Sequence, residues 1–194
     1  MSLGVVDGRT IRREKSRQCI IDALIQIVTE GNVEPTAEKV ADVAGITMRT
    51  VFRHFDDMES LYREIINDLT AQTELLRVAY DPEKDWGEQF NQLIFRRMNI
   101  FEKFMPRIIW AQSNRHKSPA INEDSEHWSD ELRHSLKLIL PKSLVSDADT
   151  FAAIEAILGW ELWVRLRRDQ QLSVKRSRAV IRKMVSAMLN DADI

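Results

Sequence analysis

The chain has one cysteine, Cys19, in 194 residues, so no internal disulfide is open to it and nothing calls for an oxidising compartment. Glycine and proline are scarce, at 6 and 5 residues, and so are the interruptions they impose on helices. No apolar run approaches the ~20 residues of a membrane-spanning helix, and Met1 to Arg13 lacks the apolar stretch and cleavage pattern of a signal peptide. Strand-like alternation, a Gly-rich phosphate loop, a Cys-x-x-Cys pair and a nucleophile elbow are all missing. These absences predict an all-α, cytoplasmic protein, away from membranes, that is not an enzyme and holds no cofactor. An excess of one charge is missing too: 28 Lys plus Arg meet 30 Asp plus Glu, so a polyanion partner must be argued from where the cations sit.

Apolar residues instead recur at helical spacing. A first helix from near Thr10 aligns Ile20, Ala23, Leu24, Ile27 and Val28, and stops at Gly31-Asn32. Three helix starts then follow at Thr36, Thr47 and Asp56 or Asp57, whose side-chain oxygens can accept the unpaired amides of a first turn. The fourth helix runs from 57 towards 80, before Asp81-Pro82. Beyond it the pattern predicts helices at 85–103, 105–114, 120–140, 147–169 and 173–190, with breaks at Pro106, Ser118-Pro119, Pro141 and Asp169-Gln170-Gln171.

The two short helices around Ala44-Gly45-Ile46 have the layout of a helix-turn-helix. Val40 and Ala41 point inside on the first, and Ile46, Val51 and Phe55 on the second. That leaves Met48, Arg49, Arg53 and His54 outward, with no carboxylate between Asp42 and Asp56. A helix of this size fits the DNA major groove, where arginine donates two parallel bonds to guanine, and Thr36 and Thr47 at helix starts suit phosphates. Arg9, Arg12, Arg13, Lys15 and Arg17 supply the local positive charge.

The segment Thr36-Ala-Glu-Lys-Val-Ala-Asp-Val-Ala-Gly-Ile-Thr-Met-Arg-Thr-Val-Phe-Arg-His-Phe, continuing to Glu59-x-Leu61, resembles the DNA-binding domain of TetR-family regulators over about residues 9 to 75. More weakly, Gly159-Trp-Glu-Leu-Trp-Val-Arg-Leu-Arg-Arg resembles that family's regulatory half. The resemblance implies a DNA-binding domain over 9–56, a connecting helix over 57–80, and a ligand-binding and dimerisation domain over 81–194. It places Thr36, Thr47, Arg49, Thr50, Phe52 and His54 at DNA-contacting positions, beside Met48, Arg53, Arg12 and Arg13. Phe52 stands where the family commonly has Tyr, and Met58 where it has Lys, so two phosphate contacts are missing. Arg49 replaces a small residue and is expected to compensate.

In the second part Ile94, Met98, Phe101, Met105, Ile109, Trp110, Trp128 and Leu132 form aromatic and Met-rich stripes, suited either to closed core or to a site for an apolar or amphipathic small molecule. The resemblance implies the site. Ile154, Leu158, Leu162, Trp163, Leu166, Ile181, Met184, Val185 and Met188 cover more than a single helical stripe, so part of that surface is expected to bury against another chain. By resemblance this is a homodimer presenting two recognition helices to a palindromic double-stranded operator, commonly as a repressor released by its effector. The alternative is a DNA-binding dimer whose C-terminal half docks a protein and no small molecule. The pairs Asp124/His127 and Glu131/His134 lie a heptad apart on one helix and cannot share a metal, and Cys19, beside Ile20 and Ala23, reads as a small buried residue.

Overall fold

The structure, a computed structural model, describes residues 8–74 and 80–191, and all regular structure among them is helical. The helices are α1 (Gly8–Thr29), α2 (Ala37–Ala44), α3 (Met48–His54), α4 (Met58–Glu74), α5 (Trp86–Asn114), α6 (Pro119–Ile139), α7 (Lys142–Ser146), α8 (Ala148–Ile157), α9 (Trp160–Val164), which runs on as a π-helical turn over Arg165–Asp169, and α10 (Val174–Asp191). The fourth helix is described as far as Glu74; the remainder of the expected helix to 80 includes 75–79, which lie outside the described residues. None of these helices is long and apolar enough to cross a membrane.

Two compact units result, one from residues up to 72 with 106–125, the other from 73–105 with 126 onward. In the first, Ile20, Leu24 and Ile27 of α1, Val40 of α2, Val51 of α3 and Leu61 and Ile65 of α4 close a core with Trp110 and Ile121. Trp110 meets Tyr62 edge to face, ring centroids 5.2 Å apart. In the second, Phe90, Met98 and Phe101 pack in a core with Leu136, Ile154, Trp163 and Ile181.

Two expected boundaries differ. Pro106 does not break the helix: α5 runs through it. A helix-interior proline costs ~3 kcal/mol. The α5 residues around it bury Phe101, Phe104 and Met105 in one unit and Ile108 and Trp110 in the other, at ~1.5–3 kcal/mol each, so burial wins. Conversely, the single helix expected over 147–169 is broken at Leu158-Gly159, where Gly159 adopts extended backbone (φ −76°, ψ 156°) ahead of α9. There a β-carbon at Gly159 would lie 2.7 Å from Glu161 Oε2 and 3.3 Å from the Ala156 carbonyl, a close approach that glycine alone allows without shifting its neighbours. Helix α7 was not foreseen.

Candidate nucleic-acid interface

The α2–turn–α3 geometry follows from three local devices. Thr36 accepts a bond from the Lys39 amide at 3.2 Å and Thr47 one from the Thr50 amide at 3.3 Å, capping the two helices. Gly45 takes a left-handed conformation, φ 67°, so that its amide reaches the Asp42 carbonyl at 3.2 Å and the Ile46 amide reaches Ala41 at 3.0 Å. Asp57 then caps α4, accepting from the Ser60 amide at 2.7 Å.

Val51 and Phe55 anchor α3 in the core, which turns Met48, Arg49, Phe52 and Arg53 to solvent. Met48 and Phe52 are 45% and 43% exposed on this face. Neither Arg49 nor Arg53 is held in an ion pair among the described residues. Thr50 is half-buried, its hydroxyl 3.0 Å from that of Thr47. Next to it, half-buried His54 is held below its ordinary pKa by partial burial first, and then by the positive charges of Arg53, Arg13 and Arg17, against a smaller opposing effect of Glu14. Cations from α1 and α3 therefore share one surface. Arg17 is partly committed, bonded to Glu64 at 2.6 Å and stacked over the Phe55 ring at 5.1 Å. Arg12 is exposed and donates to the Gly8 carbonyl at 3.1 Å.

The support beneath this face comes partly from later in the chain. Glu59 accepts from Ser118 Oγ at 2.6 Å and from the Ala120 amide at 2.8 Å, placing a carboxylate at the start of α6. Asn114 donates to the Val33 carbonyl at 2.7 Å, and buried Arg107 pairs with Asp68 at 2.8 Å and donates to the Ile65 carbonyl at 2.6 Å.

The second unit contains a cavity of about 310 Å³, walled on its apolar side by Leu93, Ile100, Trp128, Leu132 and Leu138 and on its polar side by Arg96, Arg97, Glu131, His134 and Ser135.

This arrangement matches solved structures along nearly its whole length. A transcriptional regulator from Rhodococcus sp. Rha1 superposes with a TM-score of 0.64 at 14% identity, over 94% of this chain and 98% of that one. A TetR-family member from Streptomyces coelicolor A3 gives 0.58 at 18%, over 87% and 97%. The multidrug binding protein EbrR, in complex with imidazole, gives 0.59 at 18%, over 89% and 92%. The chain has the TetR-family fold. No family model matches the sequence, and no curated protein matches it significantly.

In this TetR-like fold the residues expected at DNA, Thr36, Thr47, Met48, Arg49, Thr50, Phe52, Arg53 and His54, lie on or beside the α2–α3 pair, and Arg12 and Arg13 on α1. Of those expected at an effector, Trp128 and Leu132 line the cavity, while Ile94, Met98, Phe101 and Met105 are buried and do not. Trp110 and Ile109 belong to the first unit, and Trp110 is part of its core. Of those expected at a dimer face, Ile154, Leu158, Trp163, Leu166, Ile181 and Val185 are buried within the protomer. Of the same set, Met184 is exposed and Leu162 and Met188 are half-buried. Cys19 is exposed rather than buried: one residue before Ile20 on the helix, it is turned ~100° from the core-facing stripe, and its Sγ lies 3.6 Å from the Ala44 carbonyl. Sequence reasoning passed over Glu59, Arg97 and Arg107. The amides opening α6 needed an acceptor, the signal that points to Glu59, but no periodicity marks which cation in an amphipathic helix turns inward.

Proposed function

We propose that the chain is a DNA-binding transcriptional regulator that acts as a homodimer, with the helix-turn-helix of residues 9–56 on DNA and residues 81–194 binding an effector and the second copy. The observation that carries the reading is the outer face of α3. It is a capped, core-anchored helix presenting Arg49 and Arg53 outside any ion pair among the described residues, flanked by exposed Met48 and Phe52, with α1 cations beside it. Arg49 reads a guanine edge, the apolar pair suits thymine methyl groups, and Thr36, Thr47 and the α1 arginines meet phosphates. A two-fold dimer sets two such helices at successive major grooves, spaced by multiples of ~34 Å.

The cavity in the second unit supports a small-molecule effector over the reading in which that half only docks a protein. Regulation follows if the effector favours a dimer whose helix spacing no longer fits the operator, to the extent of its differential affinity for the two forms. Release of a repressor is the direction proposed.

The test is duplex DNA selected from a random library by the full-length protein, followed by titration with Arg49→Ala. Loss of a bidentate base contact is expected to cost ~1–3 kcal/mol and to relax preference at one base pair of each half-site. Unchanged affinity and preference for Arg49→Ala, or a native affinity indifferent to salt, refutes the assignment.

A further inference from the structure

We propose that the cavity of the second unit takes an amphipathic carboxylate, anchored by Arg97. The inference rests on the effector reading above and names the chemistry of that ligand. Arg97 is 3% exposed, yet it forms no ion pair among the described residues. Among the described residues its guanidinium donates only to neutral acceptors: the Leu132 carbonyl, Ser135 Oγ at 2.8 Å and, at 3.5 Å, the Leu158 carbonyl. Its Nε is buried with no hydrogen-bond partner among the described residues. The nearby charge that steadies it, Glu155, is itself bonded to Arg133 at 2.9 Å. Arg107, the other buried arginine, differs in having Asp68 at 2.8 Å.

A cation removed from water without a counter-ion is expensive, and neutral acceptors offset only part of the loss. Burial pushes the guanidinium down to about 10, which still leaves it charged at neutral pH. The missing partner is an anion, and the cavity on which Arg97 opens supplies room for one. A second cavity bordered by Arg97, about 480 Å³, has Glu155 and Glu161 on its wall and repels an anion. The 310 Å³ cavity is bordered by the guanidiniums of Arg96 and Arg97 and the carboxylate of Glu131, with Thr73, Tyr80, His134 and Ser135 as its other polar groups, and the remaining wall is apolar around Trp128. A guanidinium next to an apolar wall fits a carboxylate with a hydrocarbon or aromatic body. The volume lies at the lower end of the ~300–1,000 Å³ of ligand sites, which favours a short acid.

The experiment titrates full-length protein, free of DNA, with octanoate, 1-octanol and octyltrimethylammonium, following heat and tryptophan fluorescence. Octanoate is expected to bind at least about tenfold more tightly than octanol, with no binding of the ammonium. Arg97→Met is expected to lose at least about tenfold in octanoate affinity while octanol is unchanged, and Arg97→Lys to fall between. The ranking of the three probes on native protein decides the matter even if Arg97→Met folds poorly. Equal affinity for octanoate and octanol, no octanoate binding, or full octanoate affinity in a folded Arg97→Met protein overturns the proposal. Binding of library-selected duplex is scored separately without added acid, so failure of the regulator reading and failure of the anion site give different results.

Discussion

Gly45 offers a sharp test because conformation and packing make different demands there. Its φ of 67° is left-handed, but a β-carbon built on it would meet nothing within 4 Å. Substitution therefore carries a backbone penalty and no clash. An L-residue in this region costs ~1–2 kcal/mol. Loss of glycine's freedom in the unfolded chain returns ~0.4–1 kcal/mol. Gly45→Ala should thus cost up to about 1.6 kcal/mol, Gly45→Asn less because its short polar side chain tolerates αL, and Gly45→Val more because it is β-branched. For a chain of this length the alanine variant should melt up to about 6 °C lower. Urea midpoints at unchanged m-value give the ranking. DNA affinity of the folded alanine variant should stay near native, since α2 and α3 keep their turn. A cost above about 3 kcal/mol would show that space rather than φ governs this position, and an order in which Val is the best tolerated would show that φ does not govern it.

Phe52→Tyr adds a hydroxyl to a 43% exposed ring, so stability should not change. If the ring stands beside a phosphate, affinity measured by fluorescence anisotropy should rise about tenfold, within the ~1.5–3 kcal/mol of a bond to a charged group; no gain excludes that placement. Asp68→Ala removes the carboxylate paired with Arg107, whose side chain is 5% exposed and which keeps its bond to the Ile65 carbonyl; because Asp68 is 36% exposed and water reaches it, the expected cost is ~1–3 kcal/mol, above that of a surface pair, and denaturant midpoints check it. His54 is held below its ordinary pKa of 6.5, so the unfolded chain binds its proton more readily. The resulting stability is full above 6.5 and is lost as pH falls through 6.5 towards the native value, and His54→Asn should flatten that slope. Operator affinity should run the other way, rising as pH falls in this window, because a phosphate favours the charged imidazole; parallel slopes for stability and affinity count against His54 at the DNA.

Local chemistry was the most legible part of the sequence. Thr36, Thr47 and Asp57 start helices because each side chain caps its own first turn, and Gly45 turns the chain through a φ that glycine adopts freely. These effects act within four residues and leave their mark in the string. What depends on tertiary packing was less legible. Proline at 106 reads as a stop until the buried residues on either side are weighed, and Gly159 reads as continuous helix until the crowding around it is seen. Trp110 and Trp128 look alike in an apolar stripe, yet one fills the core of the first unit and the other lines a cavity in the second. The stripe on α8–α10 likewise contains the protomer's own core, which a count of apolar residues cannot separate from an outer face. Buried Arg97 was invisible for the same reason: its alternatives on α5, Arg96 and Lys103, carry identical charge.

The thiol at position 19 has a practical use. It is exposed, it stands beside the end of α2, and it is the sole sulfhydryl in the sequence. One maleimide reaction therefore installs a spin label or fluorophore at a known spot without prior mutagenesis. In a paired assembly the two probes form a molecular ruler, and pulsed dipolar spectroscopy would read how far apart the two α2–α3 pairs stand before and after an acid is added.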